Sequence, residues 1–98
     1  MKLKEGASLE GVSWRMWTAA IKAEPLWRKR GAELVITSGS DGKHGPNSLH
    51  YKGLALDFRI WNLGGAESDV LPELKAALGP EYDVVLEGDH FHVEYDPE

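Results

Sequence analysis

Apolar residues recur at helical spacing from Val12 onward. Val12, Met16, Ala19, Ala20, Ala23 and Trp27 fall on one stripe at steps of three and four, with Trp17 and Ile21 on its shoulder. Ser13 offers a cap at the start, and Gly31 a stop after the basic turn Arg28-Lys29-Arg30. Pro25 lies inside the pattern, which predicts a kink or two abutting helices. Trp14, Trp17 and Trp27 read as core packing of a small domain. Residues 1–11 are polar and contain glycine, so a loop or lead-in is expected there.

The second half of the chain changes period. Glu33 to Thr37 is a short β run, and residues 38–47 are almost wholly turn-forming. A polar loop of that length in so short a chain points to function. Leu54 to Ile60 is apolar on both faces, which predicts a central strand. Asn62 to Gly65 reads as a turn. Leu71, Leu74 and Leu78 then mark a second helix, capped by Ser68 or Asp69 and stopped at Gly79-Pro80. Tyr82 to Leu86 and His90 to Tyr95 are strands, and the short connection at Gly88 makes them an antiparallel hairpin. The expected fold class is α+β: one domain over residues 1–98, with helices packed on one face of a small, mainly antiparallel sheet.

Composition narrows the function. Over 98 residues, 42% are hydrophobic and 28% charged, which is globular. A formal charge of −5 argues against a nucleic-acid partner held by phosphate contacts. The N-terminus lacks an apolar signal region and no run is long enough to span a bilayer, so the chain reads as cytoplasmic when synthesised, with no membrane partner. A monomer is the expectation for a domain of this size. With no cysteine, disulfides and thiolate zinc sites are excluded, and a metal would need His, Asp or Glu.

Three of the four histidines lie in two segments, Ser48 to Asp57 and Glu87 to His92. His50, Asp57 and His92 are the candidate metal ligands. His50 would end the long loop, and Asp57 would lie on the strand that follows Gly53. His90 and His92, two apart on a strand, share a face. Asp57 stands in an apolar run, where a carboxylate is costly unless it is paired or metal-bound. A salt bridge from Asp57 to Arg59 or a lysine is the competing reading, with the histidines as ordinary hairpin residues.

Ser48-x-His50-x-x-Gly53-x-Ala55-x-Asp57, followed by Asp89-His90-x-His92, resembles the zinc D-alanyl-D-alanine carboxypeptidase and L-alanyl-D-glutamate endopeptidase family. These bacterial and phage enzymes cut peptidoglycan peptides. The stretch also resembles the hedgehog signalling domain, which shares their fold. The resemblance implies that His50, Asp57 and His92 bind Zn2+ and that Ser48 contacts a substrate carboxylate. It implies a catalytic acid at Asp89, or at Glu87 in the pattern of other members, with Asp89 favoured. His90 matches the auxiliary histidine, and His44 is a second candidate. Because the family's substrates carry carboxylates, Arg59 and Lys43 are candidate substrate binders. The implied protein is a peptidase for peptidoglycan stem peptides, of the kind released for phage lysis or carried in a virion. A non-catalytic zinc-binding module of the same fold, or a phage assembly domain, is the alternative.

Overall fold

The computed structural model describes residues 1–41 and 49–97. Its elements are β1 (Lys2–Leu3), α1 (Trp14–Arg28), β2 (Val35–Ser38), β3 (Ala55–Arg59), α2 (Glu67–Leu78), β4 (Tyr82–Glu87) and β5 (His90–Tyr95), with 3-10 turns at Leu49–Lys52 and Trp61–Leu63. The strands form one sheet in the order β1-β2-β3-β5-β4. Every pairing is antiparallel except β1 with β2. Both helices join the sheet in a single core, as the α+β reading expects. Among the described residues no helix is long and apolar enough to cross a membrane.

Strand parity divides the sheet into two faces. Ile36, Leu56, Phe58, Val84, Phe91 and Val93 enter the core with Met16, Ala19, Ala20, Ala23 and Trp27 of α1 and Val70, Leu74 and Leu78 of α2. The other face carries mostly polar side chains in cross-strand rungs, with Val85 exposed among them. One rung runs Asp57–His92–Val85, and the next Arg59–His90–Glu87. The alternation that builds the core therefore gathers the candidate chemistry on the face away from the helices.

Several local expectations are corrected. Residues 2–3 are a strand, not a lead-in; Lys2 and Leu3 pair with Val35 and Ile36. Of the kink and the two abutting helices expected at Pro25, the second is excluded, because one helix runs through it. Ser13 does cap α1, its side chain accepting from the Arg15 N–H at 3.2 Å. Helix α2 starts at Glu67, ahead of Ser68 and Asp69, with no side-chain cap. Glu67 and Asp69 instead place negative charge in its first turn, where the exposed N–H groups favour it. Of the three early tryptophans only Trp27 is core. Trp14 is 66% exposed and Trp17 40%, because both fall off the buried stripe of α1.

The segment between β2 and β3 returns through Leu49–Lys52, and Gly53 sets its exit. Gly53 has φ +71°, and a Cβ there would collide with the Gly11 carbonyl oxygen. Glycine allows both the left-handed backbone and the close approach. The Gly53 N–H donates to the His50 carbonyl at 3.1 Å, and the Ser13 N–H donates to the Gly53 carbonyl at 2.8 Å. This short turn is therefore tied to the start of α1 and carries His50 over the open face of the sheet.

Candidate metal centre

Three atoms converge above the β3–β5 pair. His50 Nε2 is 3.2 Å from Asp57 Oδ1 and 3.3 Å from His92 Nδ1, and His92 Nδ1 is 3.1 Å from Asp57 Oδ1. His50 and Asp57 are buried, and His92 is half-buried. Donor atoms about 2.0–2.1 Å from one tetrahedral zinc ion lie roughly 3.3–3.4 Å apart, so a triangle of this size fits such an ion with one coordination position open. The His50–Asp57–His92 group could hold a metal ion.

The tautomers strengthen that fit. His50 Nδ1 lies 2.7 Å from the Gly39 carbonyl oxygen, which can only accept, so Nδ1 carries the hydrogen. In the neutral ring Nε2 is then a lone pair aimed into the triangle. His92 Nε2 lies 2.7 Å from Glu94 Oε1, and a carboxylate likewise only accepts. Neutral His92 therefore aims its Nδ1 lone pair at the same point, beside the Asp57 carboxylate. Three electron pairs facing one another repel unless a cation stands between them.

In the metal-free protein a proton meets that demand. The hydrogen bond with Asp57 raises the His92 pKa, burial opposes it, and Glu94 adds to the rise, leaving His92 pushed up to about 9. Burial pushes the Asp57 carboxyl up, but the facing His50 and His92 rings outweigh it and hold Asp57 below the usual carboxylate range. A metal must then displace one proton from His92 at neutral pH. Affinity is expected to rise about tenfold per pH unit between pH 6 and 8, and to level off above the His92 pKa. Calorimetry in buffers of different ionisation enthalpy should show one proton released per ion. The stabilising charge on His92 follows the same window in the metal-free fold. It is fully present below the unfolded pKa of about 6.5 and lost as pH rises through the folded value.

Glu94 is a member of the site that the sequence reading passed over, although its place two residues after His92 on a strand put it on the same face. A carboxylate on the far nitrogen of a metal-binding imidazole holds the ring's tautomer and orientation. Glu94→Gln is expected to weaken metal affinity about 10–100-fold without unfolding the chain, measured by competition with a chromophoric chelator.

The structure brings the other described candidates to the next rung. His90 Nδ1 is 2.6 Å from Asp89 Oδ1, and its Nε2 is 3.1 Å from Glu87 Oε1 and 3.7 Å from Asp57 Oδ2. Burial lowers the His90 pKa, but Asp89, Asp57 and Glu87 outweigh it and raise it. The hydrogen bond with His90 holds the Asp89 carboxyl low. Asp89 occupies the two-residue turn with Gly88, which brings its carboxylate to the ring despite the strand alternation. Arg59 makes no ion pair with Asp57, whose partners are the three histidines. Ser48, His44 and Lys43 lie outside the described residues.

No family model matches the chain, and no curated protein matches it. Fold and site together define a small α+β domain whose open sheet face carries a candidate His-His-Asp metal centre.

Proposed function

We propose that this chain is a zinc peptidase that hydrolyses peptide bonds in peptidoglycan stem peptides. The observation that carries the reading is the triangle of His50 Nε2, Asp57 Oδ1 and His92 Nδ1, with edges of 3.1–3.3 Å. A ligand set of two imidazoles and one carboxylate, without thiolates, is the type that leaves a position for chemistry. The motif offsets that resemble the zinc D-alanyl-D-alanine carboxypeptidase and L-alanyl-D-glutamate endopeptidase family support the substrate class.

Bound in the triangle, zinc would acidify a water molecule towards a pKa of about 7 and polarise the scissile carbonyl. The chain supplies the remaining groups. Asp89, exposed and held ionised by His90, is the proton acceptor that the motif resemblance favours, and it would return the proton to the leaving amine. Glu87 is the second candidate, placed on the His90 nitrogen that faces Asp57. His90, held between these carboxylates, presents a raised pKa and thus a proton for negative charge that develops on the carbonyl oxygen. Action on the cell wall would follow release from the cell or delivery in a virion.

The test combines elemental analysis with mass spectrometry of digested peptidoglycan. Stoichiometric zinc and chelator-sensitive muropeptide cleavage are expected. Asp89→Asn should lower turnover about 100-fold or more while zinc stays bound, and Glu87→Gln should do so instead if it is the base. Full cleavage by a metal-free preparation would refute the reading. Bound zinc with no turnover on any muropeptide would establish the non-catalytic module instead.

A further inference from the structure

We propose that Asp41 is a positioning residue for the metal centre: together with the N-terminal segment at Ser8 it aims His50 at the ion. The inference rests on the metal centre and not on peptide hydrolysis, so the two stand or fall separately.

His50 needs a device of this kind. Asp57 and His92 lie on β3 and β5, which are paired along their length. His50 lies on a 3-10 turn outside the sheet, so strand pairing does not fix its ring. The Gly39 carbonyl oxygen does, 2.7 Å from His50 Nδ1. The peptide unit that carries this carbonyl also carries the Ser40 N–H, which donates to the Ser8 carbonyl oxygen at 2.9 Å. Among the described residues no peptide bond is cis, so the two groups point in opposite directions from one plane. Ser8 therefore holds the rear of the plane whose front holds His50. Hydrogen bonds in line through one amide polarise one another, which strengthens the Gly39 oxygen as an acceptor and His50 Nε2 as a ligand.

Asp41 locks the arrangement. Its Oδ1 accepts from the Ser8 N–H and from the Gly39 N–H, each at 2.8 Å. One oxygen thus pins the N-terminal segment to the residue that meets His50. Shape agrees with this. A Cβ on Gly39 would stand 2.2 Å from the Ser8 carbonyl oxygen, and a Cβ on Gly53 would stand 2.2 Å from the Gly11 carbonyl oxygen. Two close glycine contacts with the same N-terminal segment therefore bracket the stretch that delivers His50. A carboxylate that acts on a ligand through the backbone orients it without touching the metal.

The test compares Asp41→Asn, Asp41→Glu and Asp41→Ala. Zinc affinity is measured by competition with a chromophoric chelator. Nitrogen-edited NMR of the metal-free protein reports whether His50 Nδ1 keeps its hydrogen and how fast that hydrogen exchanges with water. Asparagine keeps an oxygen at the same place, so Asp41→Asn should stay near the wild type in both readouts. Glutamate keeps the charge but displaces the oxygen. Asp41→Glu and Asp41→Ala should each lower zinc affinity about 10–100-fold and speed exchange of the His50 hydrogen. If the alanine variant does not fold, the other two carry the comparison. Affinity kept by Asp41→Glu and lost by Asp41→Asn overturns the proposal, as does wild-type affinity in Asp41→Ala. A lowered melting temperature with an unchanged His50 signal overturns it too, since that is a purely structural role. A wild-type chain that takes up no zinc refutes the metal centre, and the metal-free His50 signal then decides the positioning alone. Zinc affinity that depends on Asp41 in a chain that cuts no muropeptide supports the positioning and refutes the hydrolysis.

Discussion

His50→Ala is expected to lower zinc affinity about 1,000-fold or more, beyond the roughly 10–100-fold carried by a partner outside the ligand set. His50 supplies one corner of the triangle, and no other described imidazole is placed to replace it. His90 approaches Asp57 from the neighbouring rung, 3.7 Å from Oδ2, and is engaged by Asp89 and Glu87. The consequence extends to stability. An ion that binds only the folded chain adds about 4 kcal/mol when free metal stands at 1,000 times its dissociation constant. The wild type should therefore melt at a markedly higher temperature in zinc, and His50→Ala should melt at the same temperature with or without it. Chelator competition and paired thermal melts measure both effects. A variant that kept wild-type affinity would remove His50 from the centre.

Much of this was readable before the fold was known, for physical reasons that differ by residue. Asp57 stood out because a carboxylate in an apolar run needs a partner. The β4–β5 hairpin followed from two alternating runs around Gly88, and alternation also put His90 and His92 on one face. These signals are local, or periodic over a few residues. The strand at Lys2–Leu3 gives no such signal, since its two residues are exposed and exist as a strand only through pairing with Val35 and Ile36. Trp14 and Trp17 misled because bulk was read as burial, whereas the angular position on α1 decides it. The stripe through Met16 and Trp27 leaves both tryptophans outside.

The site's closest dependence on the fold is likewise non-local. The ligands come from a 3-10 turn and two strands, and their mutual distances depend on how β3 and β5 seat on the core. Phe58 follows Asp57 and Phe91 precedes His92, and these two phenylalanines are directly paired across the strands. Each of the two strand ligands thus has an adjacent aromatic residue on the buried face. Packing behind the sheet and ligand spacing in front of it are two sides of the same strand pair.

Trp27→Ala should therefore be the most damaging single change in the core. Trp27 is fully buried and meets Phe58 and Phe91 edge-on, with ring centres 5.9 Å away in each case. Its indole N–H donates to the Arg59 carbonyl at 3.3 Å, which ties α1 to the site strand. Truncating a buried tryptophan costs about 3–5 kcal/mol, from lost burial and the cavity that remains. A domain of this size has about 5–15 kcal/mol in total, and each kcal/mol lowers the melting temperature by about 4–8 °C. A fall of roughly 12–40 °C is expected, read by thermal and urea denaturation. Trp14→Ala is the matched control, since that ring is mostly exposed and its loss should cost less than about 1 kcal/mol. Because β3 and β5 rest on Trp27, metal affinity should fall with stability, and saturating zinc should recover part of the lost melting temperature. A Trp27→Ala chain as stable as Trp14→Ala, with unchanged zinc affinity, would break the link between the aromatic core and the metal centre.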